Sequence, residues 1–282
     1  MSKITVLRSL QTRLLLFFLA ISLIPLIGVG WLTFAQSREV SREELFNQLI
    51  AVRDLKAGEL NNFFTGVSED IILTSHFPFI IEAMQAFSTV DDFYAVRQLG
   101  YLANPALIAS AQDTPYDQIH AQYHTIFQEI IETKGYDDIY LITPDGNVAY
   151  NFDKGNDFAT NLFSGDYRNT HLAELFKTVS TSTSSNEVQI TDFVQYTPSD
   201  NLPASFVGTP IVVEGQTIGV LIYQIPLDRI NQIMQANSEF LSERGELYLV
   251  GGPDQIILTE TRFSENSTMP AEDQAVQAAL AG

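Results

Sequence analysis

Ile139-Tyr140-Leu141-Ile142-Thr143, Pro144-Asp145-Gly146-Asn147, Val148-Ala149-Tyr150-Asn151-Phe152: two runs rich in β-branched and aromatic residues enclose a turn tetrapeptide. The proline presets one backbone torsion of the turn and the glycine accepts a left-handed one, so the stretch predicts an antiparallel hairpin. Downstream, Phe206–Val213 and Thr217–Ile225 flank Glu214-Gly215-Gln216 and predict a second hairpin. Val188–Val194 reads as another strand, and Ser180 to Asn186 as a Ser/Thr-rich loop. Pro226-Leu227-Asp228 opens a short helix from Arg229 to about Gln235.

On the N-terminal side the texture is helical. Stretches at Phe79–Ser88, Asp91–Leu102 and Tyr116–Thr133 read as helices, the last opening after Pro115. Before the break at His76-Phe77-Pro78-Phe79, Ser37 to about Thr74 reads as one long helix. Leu45, Leu49, Val52, Leu60, Phe63, Val67 and Ile71 form an apolar stripe that Lys56 interrupts. Helices followed by an antiparallel sheet of about five strands define an α+β class.

Leu14 to Ala35 contains no charged residue. As a helix these residues reach about 33 Å, enough to cross the hydrocarbon of a bilayer. Lys3, Arg8 and Arg13 precede the run, and no acid appears before Glu39, which predicts a cytoplasmic N-terminus. A cleaved signal peptide has a shorter apolar core and a small-x-small site, and Thr33-Phe34-Ala35 is a poor match. Residues 36–282 carry 12 Lys and Arg against all 34 Asp and Glu, a formal charge of −22. Such a field disfavours nucleic acid as a partner. There is no cysteine, hence no disulfide framework and no thiolate metal site.

Tyr140-Leu141-Ile142-Thr143-Pro144-Asp145 is echoed by Tyr248-Leu249-Val250-Gly251-Gly252-Pro253-Asp254. This suggests a second unit of the same kind beginning near Glu239, although residues 239–282 are too few to bury a core alone. The expectation is therefore of a truncated gene product or a fragment.

Several motifs together resemble the double Cache (tandem PAS-like) sensor domains of bacterial transmembrane receptors. They are Val52-Arg53-Asp54-Leu55-Lys56-Ala57 and Asn62-Phe63-Phe64 in the long helix, and Gly135-Tyr136-Asp137-Asp138-Ile139-Tyr140-Leu141-Ile142 with Pro144-Asp145-Gly146 in the hairpin. Thr160-Asn161-Leu162, Gly165-Asp166-Tyr167-Arg168, Pro198-Ser199, Thr209-Pro210, Ile218-Gly219-Val220-Leu221 and Gly245-Glu246-Leu247-Tyr248-Leu249-Val250 follow in the same order. The resemblance implies a cytoplasmic segment 1–13, a transmembrane helix 14–35 and a stalk helix 36–74. A membrane-distal module 75–235 and a truncated membrane-proximal module 239–282 would follow. It further implies a ligand-binding region of a transmembrane signalling receptor in the cell (inner) membrane, with residues 36–282 periplasmic or extracellular, working as a homodimer. The output implied first is a methyl-accepting chemotaxis domain, with a histidine kinase or a nucleotide or diguanylate cyclase as the alternative.

Ligands of such modules occupy the membrane-distal pocket. Tyr140, Tyr150, Tyr167, Arg168, Asp192 and Tyr196 are the polar and aromatic residues of the matching region. Chemically they suit an amino acid, an amine or a small carboxylate: Asp192 for an ammonium, Arg168 for a carboxylate, the tyrosines around the remainder. Each also has an ordinary reading, since a strand tyrosine packs and a loop arginine is solvated. The amino-acid-binding subset of the family carries Arg-x-Trp-Tyr, whereas here Arg168 precedes Asn169-Thr170-His171 and the only tryptophan is Trp31. That subset's specificity is not carried over. His120 and His124 have a spacing able to bind zinc, but position 121 is not Glu, and the pair reads as exposed on a solvated helix face. Neither a Gly-x-Ser-x-Gly nucleophile motif nor a phosphate-binding glycine loop occurs, so no cofactor and no catalysis are expected of these residues. The competing class is a membrane-tethered exported enzyme.

Overall fold

The computed structural model describes residues 10–236, 247–251 and 256–259. The chain divides into two units, residues 1–57 and 58–282. Helix α1 is Leu10–Ser75. In the first unit, Arg13–Phe34 is the one helical segment among the described residues long and apolar enough to cross a membrane, and none of it is buried. Ser22 and Thr33 turn their hydroxyls back to the carbonyls of Leu19 (3.2 Å) and Val29 (2.8 Å). Those bonds satisfy the polar groups within the helix, so the segment presents hydrocarbon outward.

In the second unit the last turns of α1 bury Val67 and Ile71. Helix α2, Pro78–Phe87, starts on the proline and buries Ile80, Ala83, Met84 and Phe87. Helix α3, Phe93–Arg97, is capped by Asp92, whose carboxylate accepts from the Ala95 N–H at 2.9 Å. It is shorter than the predicted Asp91–Leu102, because Gly100 takes φ +96 and the chain turns there. Helix α4, Pro115–Lys134, has a full capping box from Thr114 and Asp117, and ends on Gly135 at φ +73.

The sheet holds β1 (Asp138–Ile142), β2 (Val148–Asn151), β3 (Gln189–Ile190), β4 (Val194–Tyr196), β5 (Leu202–Val213) and β6 (Gln216–Ile225). Its order is β2-β1-β6-β5-β3, with β4 also on β5, and every pairing is antiparallel. Both predicted hairpins are present. The predicted strand Val188–Val194 divides into β3 and β4, because Thr191 bonds to β5 by side chain as well as backbone. Its Oγ1 accepts from the Phe206 N–H at 2.9 Å, and its carbonyl accepts from Ser205 Oγ at 2.7 Å. Helix α6, Leu227–Gln235, follows β6.

Helix α5, His171–Val179, is absent from the sequence reading. Its signal is present: Thr170 as N-cap, then Leu172, Leu175, Phe176 and Val179 at helical spacing. This helix changes the architecture, because the sheet is covered on both faces. Ile139, Leu141, Val207, Leu221 and Tyr223 pack with α1, α2 and α4, whereas Tyr140, Ile142, Phe206, Val220 and Ile222 pack with α5. Alternation along each strand produces that division. Of the repeat predicted near residue 239, the described part is β7 (Val250–Gly251) and β8 (Ile256–Ile257), which pair antiparallel; the rest of 239–282 lies outside the described residues.

Gly219 on β6 is a point of close approach. A Cβ there would lie 2.2 Å from Met84 Sδ and 2.9 Å from the Ile142 carbonyl oxygen. Gly219→Ala is therefore expected to destabilise the second unit by about 1–3 kcal/mol in denaturant unfolding. Adding Met84→Ala should recover only part of the loss, because the Ile142 backbone cannot yield.

Candidate functional site

After β2 the chain makes an irregular turn, in which Lys154 and Ala159 both take positive φ. The turn brings Asp157 beneath the α5 face of the sheet, where it is fully buried. Tyr196 on β4 donates its hydroxyl to Asp157 Oδ2 at 2.7 Å. Asn151 on β2 directs Nδ2 to Asp157 Oδ1 (3.4 Å) and to Asp138 Oδ2 (3.1 Å). The Tyr140 phenol lies against the same two carboxylates. Phe206 packs edge-on against Tyr140 and Tyr196, with centroids 5.9 and 5.1 Å away. His171 closes the ring beside Tyr196, and its Nε2–H donates to the Ala204 carbonyl at 3.0 Å.

The electrostatics follow from burial. Desolvation raises the Asp157 pKa against the hydrogen bond from Tyr196. Asp138 is raised too, by burial first and then by Asp157, even though its Oδ1 accepts the N–H groups of Ile139, Phe152 and Asp153. Asn151 Oδ1 is buried without a partner in the structure. Asp157 accepts from Tyr196, Tyr140 and Asn151, and the atom left unpaired is Asn151 Oδ1; two neighbouring buried carboxylates still favour a cation beside them. The chain supplies one nearby. Lys154 is buried, its ammonium donates to the Asn151 carbonyl, and it lies 3.9 Å from the Tyr150 ring centroid. Burial pushes its pKa down.

Across the sheet, α4 carries His120 and His124. Both are buried rather than exposed, which corrects the sequence reading: the face of α4 they share with Tyr116, Tyr123 and Phe127 is the one packed on the sheet. Their rings stack at 4.6 Å; His120 Nδ1 bonds the Ile108 carbonyl and His124 Nδ1 the Tyr150 hydroxyl, each at 2.8 Å. Among the described residues no group of three or more His, Cys, Asp or Glu side chains is placed to hold a metal ion.

The six residues singled out in the sequence do not converge. Tyr140 and Tyr196 meet at Asp157, and Tyr167 packs against the same cluster. Tyr150 points to the opposite face with its partner Leu141, because Ala149 is an extra residue at the β1–β2 irregularity and breaks the alternation that would have put Tyr150 on the side of Val148. Arg168 is exposed and bonds the Gly165 carbonyl at 3.1 Å. Asp192 is exposed as well, close enough to β7 that a Cβ on Gly251 would lie 2.9 Å from its Oδ1. Sequence reasoning missed Asp157, Asp138, Asn151 and His171. Asp153-Lys154-Gly155-Asn156-Asp157 has the composition of a solvated turn, and nothing in it marks its last member as buried.

No family model matches the sequence, and no curated protein matches it. Similar solved structures include the sensor domain of the V. cholerae histidine kinase DctB, 14% identical over 77% of this chain and 67% of that chain, with a TM-score of 0.49. Another is the ligand-binding domain of the Campylobacter jejuni chemoreceptor Tlp3 in complex with L-valine, 11% identical over 84% and 78%, with a TM-score of 0.46. A third is the ligand-binding domain of the Pseudomonas fluorescens chemoreceptor CtaA in complex with L-serine, 14% identical over 72% and 73%, with a TM-score of 0.34.

Burial pushes the pKa of His124 down to about 4 and that of His120 down to about 2, with Lys154 adding to both shifts. The unfolded chain takes up these protons below about pH 6.5 and the folded chain does not, so stability is present above that pH and is lost on acidification toward pH 4. Asp138 acts with the opposite sign, since the folded chain holds its proton to higher pH than the unfolded one. Urea unfolding of the Asp138→Asn variant should therefore show a steeper acid loss than the parent, bounded by about 1.4 kcal/mol per pH unit for each histidine and partly offset by the raised carboxyls of Asp137, Asp153 and Asp157. Adding His124→Gln should reduce that slope.

Proposed function

We propose that this chain is the ligand-binding extracytoplasmic region of a bacterial transmembrane signalling receptor, of the chemotaxis type, anchored through residues 14–35. The observation that carries the reading is the buried Asp157 carboxylate, held by Tyr196 and bordered by an orphan Asn151 oxygen, inside an aromatic cluster of an α+β domain. A buried carboxylate costs stability unless a cation or donor meets it. The paired buried carboxylates and the orphan Asn151 oxygen favour a small solute bearing an ammonium group, an amino acid or an amine. Tyr140, Tyr167 and Tyr196 enclose it, while Arg168 and Asp192 stand apart from the cluster.

Solute at Asp157 draws the turn after β2 toward β4 and α5. The β1–β2 hairpin carries that turn, and α4, whose His124 is bonded to Tyr150 of β2, leads to the packed end of α1. A coupling of about 1–3 kcal/mol between solute and helix position is enough to bias a two-state output. The signalling unit in this reading is a homodimer in the inner membrane, with the domain on its outer side.

A thermal-unfolding screen of the full chain in detergent micelles, followed by circular dichroism, tests the reading with amino acids, alkylamines and small carboxylates. At least one ammonium-bearing solute should raise the midpoint, and Asp157→Asn should weaken its binding roughly 10–100-fold, matching the loss of a charged hydrogen bond. A folded chain that answers to none of these solutes sinks the proposal.

A further inference from the structure

Lys154 stands in the turn after β2 at φ +50, and only 2% of it is exposed. Its Nζ donates to the Asn151 carbonyl, and it lies 3.9 Å from the Tyr150 ring centroid and 5.3 Å from that of Phe158. Among the described residues no carboxylate comes within ion-pair distance of it. Two aromatic faces attract an ammonium, but they do not replace the water it has lost. Asp138 and Asp153 act from further off in favour of the charged form without overcoming burial. A lysine placed in this way gives up its proton far more readily than one on the surface, and as the free amine it is a nucleophile.

A base without a partner belongs to the same cluster. The Phe158 ring lies 6.1 Å from both Tyr101 and Tyr116, and His120 packs 4.5 Å from Tyr101 and 5.5 Å from Tyr150. His120 is fully buried. Its Nδ1 faces the Ile108 carbonyl at 2.8 Å, and a carbonyl only accepts, so Nδ1 carries the ring proton. Nε2 is left as a bare lone pair that no hydrogen bond reaches. The charge of Lys154 opposes protonation of both His120 and His124, which sets the amine and the imidazoles within electrostatic reach of each other. Asp117, on the same helix, favours the imidazolium.

We propose that Lys154 is a carbon dioxide-reactive lysine, converted reversibly to a carbamate with His120 as the base that takes its proton. The amine lone pair attacks the carbon of CO2, a C–N bond forms, and one C=O electron pair moves onto oxygen. The proton leaving nitrogen goes to His120 Nε2, so the products are a carbamate anion and an imidazolium, with nothing oxidised or reduced. An ion pair then replaces two lone pairs in the same buried cluster. Asp138 adds little repulsion, because burial holds it toward its protonated form.

Size selects the electrophile. With Lys154 almost wholly covered, an aldehyde or a keto acid has no approach, whereas CO2 is small, linear and weakly hydrated. The reaction changes the charge of the turn that carries Asp157, three residues further on. The assignment does not rest on the solute-sensing reading, and its failure leaves that reading untouched.

The test exposes the full chain in detergent micelles to isotopically labelled CO2 and bicarbonate at about pH 7.5. Any carbamate is then trapped as its ethyl ester with a trialkyloxonium reagent and located by peptide mass spectrometry. Exposed Lys134 is the internal control, since on the order of one in a thousand surface lysines is neutral at that pH. The Lys154 peptide should carry roughly tenfold or more the label of Lys134, and unfolding in guanidinium before exposure should erase the difference. His120→Asn keeps a donor for the Ile108 carbonyl and removes the Nε2 base, so it should lower the Lys154 label about threefold or more. Equal labelling of Lys154 and Lys134 in the folded chain, including none on either, overturns the proposal. A Lys154 excess that persists in guanidinium also overturns it, because the fold is then not what makes the amine reactive. An undiminished label in folded His120→Asn overturns the assignment of the base. If His120→Asn does not fold, the comparison of folded and unfolded wild-type chain decides by itself.

Discussion

The structure of the second unit depends on one constraint: its sheet is buried on both faces. β6 sits between β1 and β5, and its alternate residues face either α5 or the layer of α1, α2 and α4. A strand in that position has no solvent side on which to put a polar group or a bulky error. Gly219 shows how little slack remains, because the sulfur of Met84 occupies the space where a side chain would begin. Every charged group carried into this interior must then find a partner inside it.

The turn after β2 is where the chain accepts that cost. Asp138, Lys154 and Asp157 are all buried, together with Asn151 and its unpaired oxygen. The turn itself is bent into left-handed torsions at Lys154 and Ala159, which non-glycine residues adopt only under tertiary constraint. Lysine side chains ordinarily run their stems along the surface and keep the ammonium in water. Here the neighbours Asp153 and Asn156 are exposed while the Lys154 ammonium turns inward over Tyr150. Strain, buried charge and an unsatisfied acceptor occur within seven consecutive residues.

Contrast the N-cap of α4, where Asp117 is equally buried and has no such character. It accepts from Tyr101, Ser110 and Thr114, with distances of 2.5–2.8 Å. Burial opposes its ionisation, yet these donors outweigh it and hold the carboxyl well below its usual range. Two buried aspartates in one domain thus differ in their donors. Asp117 is saturated and serves as a structural cap, while Asp157, met by Tyr196, Tyr140 and Asn151, lies beside a second buried carboxylate and the unpaired Asn151 oxygen.

Much of the architecture was legible in the sequence because it is written in local terms. The membrane-length run Leu14–Ala35, the long helix after it, the Pro115 start of α4 and both hairpins follow from periodicity and turn chemistry, which act over a few residues. Helix α5 escaped although its cap and spacing were present, since a nine-residue amphipathic stretch beside a Ser/Thr-rich loop reads weakly on its own. Of the site, the tyrosines on regular strands were recognisable as candidates, but the strand face each one occupies depends on register, so Tyr140 and Tyr150 parted company. The grouping of Asp157 with Tyr196, 39 residues apart, and of Arg97 with Phe158, 61 apart, was decided only by the tertiary structure. For these polar residues burial depends on what the fold lays on top of them, and no local pattern encodes it.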